Sequence, residues 1–318
     1  MTHAPSIGIL AHSCKLPKSF RPANRFFLCR LAVLAALLTW LQPPSHALLL
    51  NDDVVETQAS KPDSAMKAIQ DNSFLIEEAY NQESGVVQHI SAFTRFWNSK
   101  DWAYTFTQEW PLPRRSRHQL SYTAFVLEPG EFAGLGAGFG DFMLNYRYQV
   151  LGNGEARVAF APRLSLLLPS GDHNLGRGFG GVGVQVNLPL SLALGRRWVT
   201  HLNAGTTFVP RARNAFHDRA RATGYNVGQS VIWLAHPRVN LLVETAWTGS
   251  ASVVGPGKTE FSHDLLVSPG IRWSFNFRDG LQIVPGLAVP VGVGPSAGER
   301  GLIIYVSFEH PLWRPHTR

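Results

Sequence analysis

The sequence predicts an all-β fold: a transmembrane, antiparallel, up-and-down β-barrel of about 12 strands, preceded by a short, partly helical segment. Three observations carry this. Apolar residues alternate with polar or small ones, at a period of two, over most of residues 86–309. The connections between these runs are alternately short and long, as expected when one set of turns faces the periplasm and the other the cell exterior. Of the 318 residues 45% are hydrophobic and only 16% charged, yet no apolar run reaches the ~20 residues of a spanning helix.

The chain opens with an export address. Residues 1–30 carry Lys15, Lys18, Arg21, Arg25 and Arg30 and no acid. An uncharged stretch from Leu31 to Leu41 follows, then Pro43, Pro44, Ser45, His46 and Ala47. Basic, apolar, then small residues is the order of a signal peptide, placed at 1–47. Both cysteines, Cys14 and Cys29, lie inside it, which leaves no thiol for a disulfide framework or a zinc site. The formal charge of +7 also belongs largely to this segment. Without its five basic residues the balance falls to about +2, so the charge makes no case for nucleic acid.

Residues 48–84 are polar and mixed. Pro62 followed by Asp63 to Ile69 predicts a short helix, and Ser73–Gln82 predicts a second. Glu77 and Glu78 are adjacent there, so on a helix they point about 100° apart and favour a solvated face. The segment either stays in the periplasm or plugs the lumen, with Glu77 and Glu78 then set against lumen arginines.

From Val86 the period becomes two. Strands are expected at 86–98, 102–112, 117–127, 139–150, 156–168, 181–194, 198–209, 223–235, 238–248, 259–277, 281–293 and 301–309, giving a barrel over 85–309 and a tail over 310–318. The pattern is clearest at Val182, Val184, Val186, Leu188, Leu190, Leu192 and Leu194, separated by Gly183, Gln185, Asn187, Pro189, Ser191 and Ala193. Short connections fall at 112–117, 151–155, 195–197, 236–237 and 278–280. Long ones fall at 128–138, 169–180, 210–222, 249–258 and 294–300. Trp102, Trp110, Tyr148, Trp198, Phe208, Trp233, Trp247, Phe277 and Phe308 sit near strand ends, where the two aromatic girdles of such a barrel belong. The last strand, Glu299–Phe308, is similar to the sorting signal read by the barrel-assembly machinery, although ten residues follow Phe308.

Strand parity turns Arg147, Arg157, Arg163, Gln185, Asn187, His201, Asn203, Glu244, Asp264 and Arg272 inward, with Glu109, Asn145, Gln149, Asn240, Gln282 and Glu309. Such a lumen holds water or pairs its own charges, and the same charges facing lipid would cost several kcal/mol. His173, Arg177, Arg211, Arg213, His217, Arg219 and Arg221 make two loops basic, which suits plain solvation or the phosphates of lipopolysaccharide. His118 with Ser121, and His263 with Asp264, alternate across their strands and form no catalytic pair. No catalytic, metal or cofactor motif emerges.

Four stretches, Gly138–Gln149 (GFGDFMLNYRYQ), Pro162–Asp172 (PRLSLLLPSGD), Ser268–Phe277 (SPGIRWSFNF) and Gly286–Gly292 (GLAVPVG), resemble bacterial outer-membrane barrels of the "MetA-pathway of phenol degradation" type. The resemblance implies a channel or transporter for small molecules, aromatic or hydrophobic compounds among them, and assigns no functional residue. The alternatives are a closed barrel with a structural or adhesive role and, third, a barrel hydrolase. The expected partners are outer-membrane lipids, lipopolysaccharide and an unidentified small solute.

Overall fold

The computed structural model describes residues 69, 71–113 and 115–312. The expected signal peptide, most of the helix expected over Asp63–Ile69, and the end of the C-terminal tail lie outside these residues.

Twelve antiparallel strands close into one barrel. They are β1 (Val86–Phe96), β2 (Trp102–Leu112), β3 (Arg115–Glu128), β4 (Gly138–Phe139 and Phe142–Tyr148), β5 (Val158–Phe160 and Arg163–Leu168), β6 (Gly183–Asn187 and Leu190–Ala193), β7 (Trp198–Arg213), β8 (Arg219–His236), β9 (Val239–Gly255), β10 (Lys258–Trp273), β11 (Gln282–Ala288 and Val291–Gly292) and β12 (Gly301–Pro311). Each pairs with its neighbour in sequence. Closure comes from β1 against β12, in register from Val86↔Pro311 to Phe96↔Gly301. β12 therefore runs past Phe308 into the expected tail. Three of the divided strands break at Pro162, Pro189 and Pro290, because proline has no N–H to give the ladder.

The barrel has two unlike ends. The start of β1 and the end of β12, Val86 and Pro311, lie together at one, the terminus end. The connections β1–β2, β3–β4 and onward to β11–β12 lie at the other, the loop end. Two connections expected to be long are short. β7 runs on to Arg213 and β8 starts at Arg219, while β9 and β10 are separated only by Pro256 and Gly257. These strands extend because their inward positions stay small and apolar. Val209, Ala212, Ala220 and Ala222 bury against Phe179 of the β5–β6 connection.

The outer surface is apolar. On β6 Val184 and Val186 are exposed while Gln185 and Asn187 are buried, so parity holds residue by residue. Trp198 stacks on Trp233 near the terminus end, and Tyr225 packs against Phe261 near the loop end. Trp198 and Phe208 bracket the outward face of β7. At ~3.3 Å per residue and the usual strand tilt they stand about 25 Å apart, the height of a barrel's apolar band.

Candidate functional site

Residues 71–82 run through the terminus half of the barrel interior, bonded to inward side chains from β1, β3, β4, β6, β7, β8, β9, β10 and β12. The helix expected over Ser73–Gln82 does not form; the stretch is a series of bends. The reason lies in its N–H groups. Those of Leu75 and Ile76 donate to Glu244 Oε1 at 2.9 and 3.1 Å, that of Glu77 to Asn203 Oδ1 at 2.9 Å, and that of Ala79 to Ser191 Oγ at 2.8 Å. Those of Asn81 and Gln82 donate to Gln149 Oε1 at 2.9 Å and Gln119 Oε1 at 2.7 Å. With the wall supplying the acceptors, the helical i→i−4 bonds are not needed to satisfy a buried backbone.

Glu77 and Glu78 are not a solvated face. Glu78 is buried, its N–H donating to Asn72 Oδ1. The Glu77 carboxylate lies between two arginines of the wall. Arg147 Nη2 donates to Oε1 at 2.8 Å, Arg163 Nε to Oε2 at 2.9 Å, and Asn187 Nδ2 to Oε2 at 2.8 Å. Arg147 also lies 3.3 Å from Glu109.

The remaining inward residues hold the same segment or each other. Arg272 donates to the carbonyls of Ile69, Asp71 and Asn72. Asn203 Nδ2 donates to the Glu77 carbonyl at 2.7 Å. His201 is buried beside Ser191, with Nδ1 2.7 Å from its hydroxyl, and meets the Tyr80 ring edge-on. Gln185 accepts from Arg163 and donates to Thr207. Asp264 lies nearer the loop end and accepts from Ser296 Oγ at 3.0 Å. Arg157 is a correction: parity turns it inward, but β5 begins only at Val158, and Arg157 stands exposed in the turn before it.

Parity also marks Gln88 and Gln119 as inward polar positions, although sequence reasoning passed over both. Asp71 carries no local signal at all. It accepts from Gln88 Nε2 at 2.8 Å and from the hydroxyls of Tyr305 and Ser307 at 2.6 Å each. Inward glycines are the other missed signal. A Cβ on Gly286 would stand 2.4 Å from the Phe74 ring, one on Gly270 2.5 Å from it, and one on Gly228 2.3 Å from Ile76 Cδ1. The wall is hollowed where the segment lies.

The loop half is built differently. Phe125 and Leu127 of β3, Met143 of β4, Leu167 of β5 and Val209 of β7 pack around Phe179. Asp141 holds that connection in place, accepting from the Gly171 N–H at 3.0 Å and the Phe179 N–H at 2.8 Å. Arg177 is not a solvated cation of this connection. It is buried and donates to the Gly136 carbonyl. Burial also holds the His173 imidazole below its ordinary pKa. Arg211, Arg213, Arg219 and Arg221 remain exposed on the extended strands. His118 bonds to the Tyr146 hydroxyl and Ser121 to Asn145, while His263 packs on Trp247 and Phe261.

No family model matches the chain, and no curated protein matches it. Solved structures do. An outer membrane channel from Pseudomonas putida F1 aligns at a TM-score of 0.52 and 13% identity, over 73% of this chain and 97% of that one. The NanC porin aligns at 0.45 and 11% identity, over 69% and 98%. A monoaromatic hydrocarbon channel, CymD, aligns at 0.38 and 8%, over 74% and 90%. At these identities the likeness to the Pseudomonas putida channel establishes the fold, a 12-stranded barrel of the outer-membrane kind.

Proposed function

We propose that the protein is an outer-membrane channel for small molecules, held closed by residues 71–82. The observation that carries this is how the terminus half is filled. A barrel of about eight strands can fill its interior with side chains of its own strands, and twelve strands enclose a wider space. Here the wall is recessed at Gly228, Gly270 and Gly286, and a separate stretch of chain occupies the recess. Besides the packing of Phe74 and Tyr80, polar bonds hold it, and water or a solute can replace these. In this reading the terminus end is periplasmic, and the exposed Arg211, Arg213, Arg219 and Arg221 meet lipopolysaccharide phosphates at the cell surface. The resemblance to phenol-pathway barrels, together with the apolar loop half, favours solutes with an aromatic or otherwise apolar part.

The test is planar-bilayer conductance of the whole chain against a variant lacking residues 50–82. The deletion is expected to raise conductance several-fold. If flux of ions and of small solutes stays at the wild-type level, even when the Phe179 connection is also opened, the barrel is closed by its wall, and a structural or adhesive role replaces the channel.

A further inference from the structure

The groups around Glu77 are arranged to hold a carboxylate whether or not Glu77 supplies it. Arg163 is fixed by neutral partners of the wall: Nη1 donates to Asn145 Oδ1 at 2.9 Å and to Ser165 Oγ at 2.7 Å, and Nη2 to Gln185 Oε1 at 3.2 Å. Only its Nε edge is turned to Glu77. Asn187 reaches the same carboxylate oxygen, and Arg147 reaches the other. The wall thus presents a pre-set fork of donors, and fixing donors in advance lowers the cost of binding.

Charge defines what fits. Arg147 faces Glu109 and Glu77, with buried Glu78 also near it, whereas Glu77 is the one carboxylate that Arg163 pairs with. Without Glu77 the site loses one negative charge, and Arg163 keeps only neutral partners. A largely desolvated cation left in that state is unfavourable, so one further carboxylate is favoured there.

We infer that Arg147, Arg163 and Asn187 form the recognition site for the carboxylate of small organic monoacids, and that Glu77 occupies this site when the channel is closed. Resting on the channel reading, the inference names the solute class: monoacids compete with Glu77 for one set of donors. Their binding releases the segment by as much as their affinity differs between the closed and released states.

The test uses the full chain, with sodium benzoate as probe and phenol and sodium chloride as controls; phenol offers the same ring without a carboxylate. In Glu77→Ala, benzoate should raise the Tm in detergent while phenol and chloride do not. Adding Arg163→Gln should weaken the apparent benzoate affinity about tenfold or more, the usual consequence of losing a charged hydrogen bond. Equal responses to benzoate and phenol, or a benzoate response that survives Arg163→Gln, would overturn the site. If Glu77→Ala does not fold, wild-type conductance decides: benzoate should raise it and phenol should not, and no difference between them overturns the inference. The Tm measurement needs no current. A deletion variant that fails to conduct, even with the Phe179 connection opened, would therefore count against the channel reading and leave the site to be judged separately.

Discussion

In the loop half of the barrel, Phe179 is packed among Leu127, Met143, Leu167 and Val209, and its connection is tied down by the carboxylate of Asp141 and by the Arg177 bond to Gly136. In the terminus half, residues 71–82 are held by Glu244, Asn203, Ser191, Gln149 and Gln119, and by the two arginines at Glu77. Both halves of the interior are filled by a non-strand piece of chain, but the loop half relies mainly on apolar packing, whereas the terminus half adds a polar network to the apolar seats of Phe74 and Tyr80. Apolar packing is non-directional and is weakened by cavities. A buried polar network depends on each partner and can be opened by any molecule that supplies the same groups. A solute would therefore exchange hydrogen bonds at one end and displace packed apolar surface at the other.

The largest effect should come from removing both. Phe179→Ala added to deletion of residues 50–82 should raise planar-bilayer conductance beyond the deletion alone. If only the double variant conducts, the apolar half is the tighter barrier and the comparison is reversed. Next is the wall itself. Val186→Arg puts a charge on the lipid face and should cost about 2–4 kcal/mol in urea titration in lipid vesicles. Gln185→Glu, on the inner face beside Arg163, gives its charge a partner and should cost less than Val186→Arg. Equal losses would mean that the strand is buried on both sides.

Third, Gly286→Ala forces its methyl into the Phe74 ring and should destabilise by about 1–3 kcal/mol. Phe74→Ala in the same chain should recover part of that loss, a coupling that a double-mutant cycle reads directly. Additive losses would show that the recess is not there for Phe74. The smallest effect is expected from the conservative substitution at Glu244. Glu244→Gln keeps an oxygen that can accept from both Leu75 and Ile76 and should cost under about 1 kcal/mol, whereas Glu244→Ala strands two buried donors at about 1–3 kcal/mol each. If the two substitutions cost the same, the acceptor is not what holds the segment.

Twelve strands, their order, and which residues face inward were legible in the sequence, because a strand's faces follow from local alternation alone. Val186 against Gln185 and Ile271 against Arg272 needed no knowledge of the rest of the chain. The same rule marked Arg147, Arg163, Asn187 and Asn203 as inward before any partner was known. It failed at Arg157, where the strand had not yet begun, and at 210–222, where polar outward arginines masked a continuing inward row of alanines. Only the tertiary structure decided the path of residues 71–82. Their helical spacing is a local preference, overruled when acceptors far along the chain take up the backbone donors. Glu77 meets Arg147 across 70 residues and Arg163 across 86. Such pairings depend on the closed barrel bringing β4 and β5 to face the segment, and no local pattern encodes them.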